Sequence, residues 1–137
     1  MIQLIAGTKG SGKTKAMIEM INKAVDETNG CIVCIEKNMN LIYNIRHPVR
    51  LIDVDEYKVE GYEQFYGFVA GVLAGNYDIL EVYIDGILRV GNHDLVGFEK
   101  LIGRLVEMAE SIKIVLTVSE SIENLPVSLH KYLINRN

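Results

Sequence analysis

The sequence predicts an α/β fold: a mainly parallel sheet of about five strands, helices on both faces, one domain over residues 1–137. Two observations carry this. Short apolar, β-branched runs alternate with segments of helical periodicity. The first such run, Ile2–Ala6, leads through a glycine-rich turn into an amphipathic stretch, the order of a strand–loop–helix unit. The 137-residue length suits one domain of about 100–200 residues. Such a chain buries roughly two-thirds of its unfolded surface, so it needs neither disulfide nor metal to stand.

Each element has its own reason. Lys13–Glu27 places Met17, Met20, Ile21, Ala24 and Val25 on one face at helical spacing, and Asn29-Gly30 ends it with residues suited to left-handed backbone. Cys31–Ile35 reads as a buried strand. Asn38–Ile45 reads as a short helix or irregular segment carrying Leu41, Ile42 and Ile45, stopped by His47-Pro48. Arg50–Val54 is a short strand. Tyr62–Ala74 carries a stripe of Tyr62, Phe65, Tyr66, Val69, Val72 and Leu73, which is helical, with Gly67, Gly71 and Gly75 expected to allow close packing on the sheet. Leu80–Ile84 is a strand ending at Asp85-Gly86, and Ile87–His93 a loop. Asp94 suits the cap of a helix running to about Glu110, with Leu95, Phe98, Ile102, Leu105 and Ala109 inward. Lys113–Val118 is the last strand, and Pro126–Ile134 a short closing helix.

Composition narrows the function classes. Hydrophobic residues at 49% and charged residues at 23% exclude a disordered chain. The net charge of −4 and the lack of a Lys/Arg stripe interleaved with aromatics leave nucleic-acid binding a minor place. No apolar run reaches the roughly 18 residues that span a bilayer, and the start lacks a signal-peptide pattern, so a cytoplasmic protein without membrane insertion is expected. Cys31 and Cys34 lie within a strand pattern, where positions three apart face opposite sides; both read as buried structural thiols. His47, His93 and His130 show no zinc spacing.

The chemistry is concentrated in Gly7-Thr8-Lys9-Gly10-Ser11-Gly12-Lys13-Thr14, which matches G-x-x-x-x-G-K-[ST] without departure. Glycines let the backbone curl until successive N–H groups face one phosphate, and the following helix adds the positive end of its dipole. In that pattern Lys13 neutralises the β- and γ-phosphates and the Thr14 hydroxyl holds Mg²⁺. With this motif the chain resembles the P-loop NTPase superfamily. Leu80-Glu81-Val82-Tyr83-Ile84-Asp85 is similar to that superfamily's Walker B strand, whose terminal aspartate orients the Mg²⁺. A solvated turn aspartate is the other reading of Asp85. The resemblance implies a single-domain three-layer P-loop NTPase fold with ATP and Mg²⁺ as ligands.

Within the superfamily, the chain is most similar to the RecA-like, additional-strand branch. Glu36, at the end of Cys31–Ile35, falls where that branch carries its catalytic glutamate; an exposed strand-end charge is the other reading. That branch also inserts a strand between the phosphate-loop and Walker B strands, with a polar residue at its tip. Thr117 or Ser119 fills that place, a capping or turn role being the alternative. Gly86 departs from the pattern of members that carry a glutamate directly after the Walker B aspartate. Arg89 reads either as an arginine finger or as a solvated loop residue. Guanine-reading N-K-x-D, an arginine-rich lid and zinc-binding cysteine clusters are all missing, which weakens the GTPase, nucleotide-kinase and thymidine-kinase-like alternatives. The sequence thus leads to an ATP-binding protein with weak or partner-activated hydrolysis, an unidentified protein partner or self-association being implied. Leu125–Leu133 and the outer sides of the aromatic-rich helices are the expected contact surfaces. A non-enzymatic nucleotide switch and a small-molecule kinase stand as alternatives.

Overall fold

The computed structural model describes residues 1–38, 44–46 and 48–135. Along the chain come β1 (Ile2–Ala6), α1 (Lys13–Glu27), β2 (Cys31–Glu36), β3 (Arg50–Asp53), α2 (Gly61–Ala74), β4 (Ile79–Ile84), α3 (Leu95–Met108) and β5 (Lys113–Val118). Tight 3-10 turns occupy Ile87–Arg89, Ile122–Asn124 and Val127–Tyr132. The five strands form one all-parallel sheet in the order β1-β5-β4-β2-β3. Its register sets Ile5 beside Thr117, Leu116 beside Ile84, and Ile84 beside Ile35. The carboxyl ends of four strands therefore lie level with one another.

Strand alternation divides the core into two layers. On one face α1 buries Met17, Ile21 and Ala24 against Ile5, Ile32, Cys34, Tyr83 and Val115. On the other, α2 and α3 cover Leu4, Val33, Ile35, Val82, Ile84, Ile114 and Leu116 with Phe65, Val69, Phe98, Ile102 and Leu105. Helices on both faces of the sheet give three layers, as the sequence predicts. Asp94 caps α3 by accepting from the Gly97 N–H at 3.1 Å.

Several details differ from the sequence reading. Gly67 and Gly71 do not bring α2 close to the sheet: a Cβ at either would meet open space. Each interior glycine costs a helix about 1 kcal/mol relative to alanine. Full burial of Phe65 and Val69 contributes about 1.5–3 kcal/mol apiece, so packing outweighs the poor propensity. The predicted helix at Pro126–Ile134 is instead the 3-10 turn Val127–Tyr132, because the chain must straighten at once to pair with β1. Leu133 bridges Leu4, and the Ile134 N–H donates to the Leu4 carbonyl at 3.0 Å. Leu125, Leu129 and Leu133 are buried in that docking, so these leucines offer no contact surface, while Val127, Ser128 and Lys131 between them are exposed. The loop after β4 also tightens into a 3-10 turn. Most of the short helix expected at Asn38–Ile45 lies outside the described residues.

Cys34 is buried, but Cys31 is exposed, against expectation. Cys31 is the first residue of β2, at the register irregularity between Cys31 and Ile32, and the burial of the residues that follow does not extend to it. Burial, with the charges of Glu36 and Asp85, pushes the Cys34 thiol far above its usual range, which keeps it protonated and unreactive. No helix among the described residues is long and apolar enough to cross a membrane. Titration with a chromogenic disulfide reagent is expected to count one fast-reacting thiol in the native protein and two after denaturation. Two fast thiols in the native state would contradict this packing.

Candidate functional site

The site grows from the level carboxyl ends of β1, β5, β4 and β2. In β5 and β4, Val115 and Tyr83 face α1, so the alternation carries Thr117 and Asp85 to that same side, where α1 begins. The Gly7–Thr14 loop rises from β1 and turns into α1 there. Its base is tied to β5 by the Gly7 N–H, which donates to the Val118 carbonyl at 3.1 Å. Gly10 and Gly12 adopt positive φ of 85° and 87°, conformations that side chains disfavour. Gly12 is the N-cap of α1 and contributes no side-chain cap, leaving the first-turn N–H groups of Lys13 and Thr14 without an intrahelical acceptor.

Asp85 is the centre of the cluster. It is 8% exposed, and its Oδ1 accepts from the Thr14 hydroxyl at 3.1 Å and from the Thr117 hydroxyl at 2.7 Å. Thr117 in turn accepts from the Gly86 N–H at 2.7 Å. Oδ2 lies 3.7 Å from the Arg89 guanidinium. The solvated-turn reading of Asp85 is thus excluded. Gly86 explains its own departure from glutamate. It sits at φ 69°, and a Cβ there would fall 2.1 Å from Arg89 Nη2. The left-handed turn sends the chain into Ile87–Arg89 and swings Arg89 back onto Asp85.

Lys13 is 9% exposed and its Nζ rests on the Thr8 carbonyl at 3.3 Å. Desolvation lowers its pKa below the usual lysine range; Asp85 opposes the effect and Arg89 adds to it. Glu36, at the end of β2, is 2% exposed, which removes the exposed-charge reading. It stands one strand from Asp85, whose N–H donates to the Ile35 carbonyl at 3.0 Å. Of the two tip candidates, Thr117 joins the Asp85 cluster, while Ser119 lies half-buried beyond the end of β5. Thr8, Lys9 and Ser11 are exposed on the loop. Among the more distant arginines, Arg46 pairs with Asp26 late in α1 at 2.6 Å, and Arg50 opens β3 away from the carboxyl end of the sheet.

Sequence reasoning missed one support. Asn135 brackets Ala6, the last residue before the loop: its Oδ1 accepts from the Ala6 N–H at 3.1 Å and its Nδ2 donates to the Ala6 carbonyl at 2.6 Å. With the partners 129 positions apart, no local pattern signals the contact. No protein-family model matches this chain, and a search of the curated proteins finds no match.

The cluster predicts its own sensitivity. Thr117→Val keeps the shape but strips a donor from buried Asp85 and an acceptor from Gly86. The cost is expected at about 1–3 kcal/mol, because a buried polar group loses its partner. Urea unfolding measures it, and Thr117→Ser, which restores the hydroxyl, should recover most of the loss. Equal stability of Thr117→Val and wild type would show that these bonds carry no weight.

Proposed function

We propose that this protein binds ATP with Mg²⁺ at the Gly7–Thr14 loop and Asp85, and hydrolyses it slowly unless a partner activates it. The single observation that carries the reading is the 3.1 Å contact of Thr14 with Asp85, two residues 71 apart that the motif pattern independently singles out as a metal-binding pair. Mg²⁺ takes one or two protein oxygens plus phosphate and water, and two adjacent ligands at its usual distance stand about 2.9 Å apart. The hydroxyl and carboxylate fit that donor set. Among the described residues no larger acidic or histidine cluster competes for a metal.

The chain's own groups have distinct tasks in this reading. The loop N–H groups and the start of α1 receive the phosphates. Lys13 leaves the Thr8 carbonyl for the β- and γ-oxygens, and their charge favours its protonated form. Asp85 and Thr14 would hold the Mg²⁺, whose charge would offset that of the phosphates. Thr117 keeps Asp85 aimed. Glu36, buried at the end of β2, would be the carboxylate that orients the attacking water, Gly86 standing where other members carry a glutamate.

The order of β1, β5 and β4 favours the additional-strand branch of P-loop proteins over the kinase and GTPase branch, in which the Walker B strand would adjoin β1. The glycine at position 86 also favours a second reading, in which ATP binding alone switches the protein's conformation.

Calorimetric titration of ATP with Mg²⁺ tests the binding. Micromolar affinity is expected for wild type and a loss of about a hundredfold for Lys13→Ala, which removes a charge-assisted contact from a desolvated site. Absence of wild-type binding would sink the proposal. A phosphate-release assay then separates the two readings. In the ATPase reading Glu36→Gln abolishes turnover and leaves ATP binding within about twofold. ATP binding with no turnover by wild type, alone or with added cell extract, selects the switch.

A further inference from the structure

A polar cleft of about 480 Å³ opens between the end of β2, the start of α2 and the turn after β4. Lys37, Glu60, Tyr62, Arg89, Asn92 and Asp94 supply its polar side chains. The volume lies within the range of small-molecule sites, about 300–1,000 Å³. The cleft touches the Asp85 cluster through one residue, because Arg89 lines its wall while pairing with Asp85 Oδ2.

Two further features mark it as built. Tyr62 lines the cleft with its hydroxyl buried and without a hydrogen-bond partner among the described residues. Burial, with Asp94 nearby, pushes that phenol up to about 12. The rim closes tightly on the same ring: a Cβ on Gly91 would fall 2.2 Å from it. The next two residues, Asn92 and His93, both take positive φ, 53° and 61°. Two consecutive non-glycine residues in that region cost free energy that the surrounding turn must offset.

We propose that this cleft binds a small phosphate monoester carrying free hydroxyl groups. The planar fork of Arg89 matches phosphate oxygens, and Lys37, held by Asp55 at 2.6 Å, also lines the cleft. Glu60 and Asp94 share the cleft with these cations, so a bare anion is a poor fit. Their carboxylates suit the hydroxyl donors of the rest of such a ligand, although one oxygen of Asp94 is engaged in capping α3. A phosphate seated on Arg89 competes with Asp85 for the guanidinium. Occupancy of the cleft and the state of Asp85 are thereby coupled, and the coupling is reciprocal. Only this link rests on the nucleotide reading above; binding in the cleft does not.

Ribose 5-phosphate is the probe, titrated calorimetrically into wild type, Arg89→Ala, Tyr62→Phe and Lys13→Ala, each checked for folding by circular dichroism. AMP is the second phosphate monoester, and ribose and inorganic phosphate are the controls. Expected are binding by wild type, weakening by roughly tenfold or more in Arg89→Ala, as for loss of a charged hydrogen bond, and a smaller loss in Tyr62→Phe. Lys13→Ala should bind ribose 5-phosphate as wild type does, and each control should bind more weakly than the ester. Loss in Lys13→Ala with retention in Arg89→Ala would place the ester on the glycine loop and overturn the proposal. So would equal binding by wild type and Arg89→Ala, or no binding of either ester by folded wild type at millimolar concentration. If wild type binds ribose 5-phosphate in this pattern but fails to bind ATP, the cleft stands and the nucleotide reading falls.

Discussion

The carboxylate of Asp85 is the constraint around which the carboxyl end of the sheet is organised. A charge this deeply buried is costly unless hydrogen-bonded and paired, and four parts of the chain converge to meet that need. Thr14 comes from the first turn of α1, Thr117 from β5, the Ile35 carbonyl fixes the Asp85 backbone from β2, and Arg89 arrives from the following turn. Each contact also sets the position of its own element. The glycine loop is thereby held against the centre of the sheet as well as against β1.

The same cluster gives Gly86 a structural role of its own. A residue with a side chain at φ 69° would be strained and would displace Arg89. The turn brings a cation to the acidic centre in place of a second carboxylate. Between β4 and β2 the carboxylates of Asp85 and Glu36 end neighbouring strands, with Lys13 and Arg89 as the cations that act electrostatically within that region. The arrangement concentrates charge where water is scarce, which strengthens every electrostatic interaction there.

Much of this was legible in the residues themselves. The bounds of α1 and β5 follow directly from apolar periodicity, and the interval between Thr14 and Asp85 followed from two short motifs. What escaped reading depended on distance or on detail of shape. Nothing near Leu125–Leu133 reveals that its leucines dock on β1, because the partner lies more than a hundred residues away. Exposure of Cys31 turns on its place at the very start of β2, which periodicity blurs. Gly67 and Gly71 invited a packing explanation that the open space beside them denies. The role of Thr117 was narrowed to two residues by sequence, and only the register of β5 against β1 and β4 separates it from Ser119.

The bracket that Asn135 places on Ala6 has a consequence for the order of events during synthesis. β1 is made early, yet among the described residues it pairs in the sheet only with β5 and with the segment at Leu133, so it must wait unpaired while more than a hundred residues emerge. Helix α1 and strands β2 to β4 can associate during that interval through contacts closer in sequence. The glycine loop, joined to β1, receives its firm base only when these distant pieces arrive. A ribosome-bound chain lacking them carries the whole G-x-x-x-x-G-K-[ST] motif without the framework that shapes it, so completion of the site becomes a late checkpoint of folding.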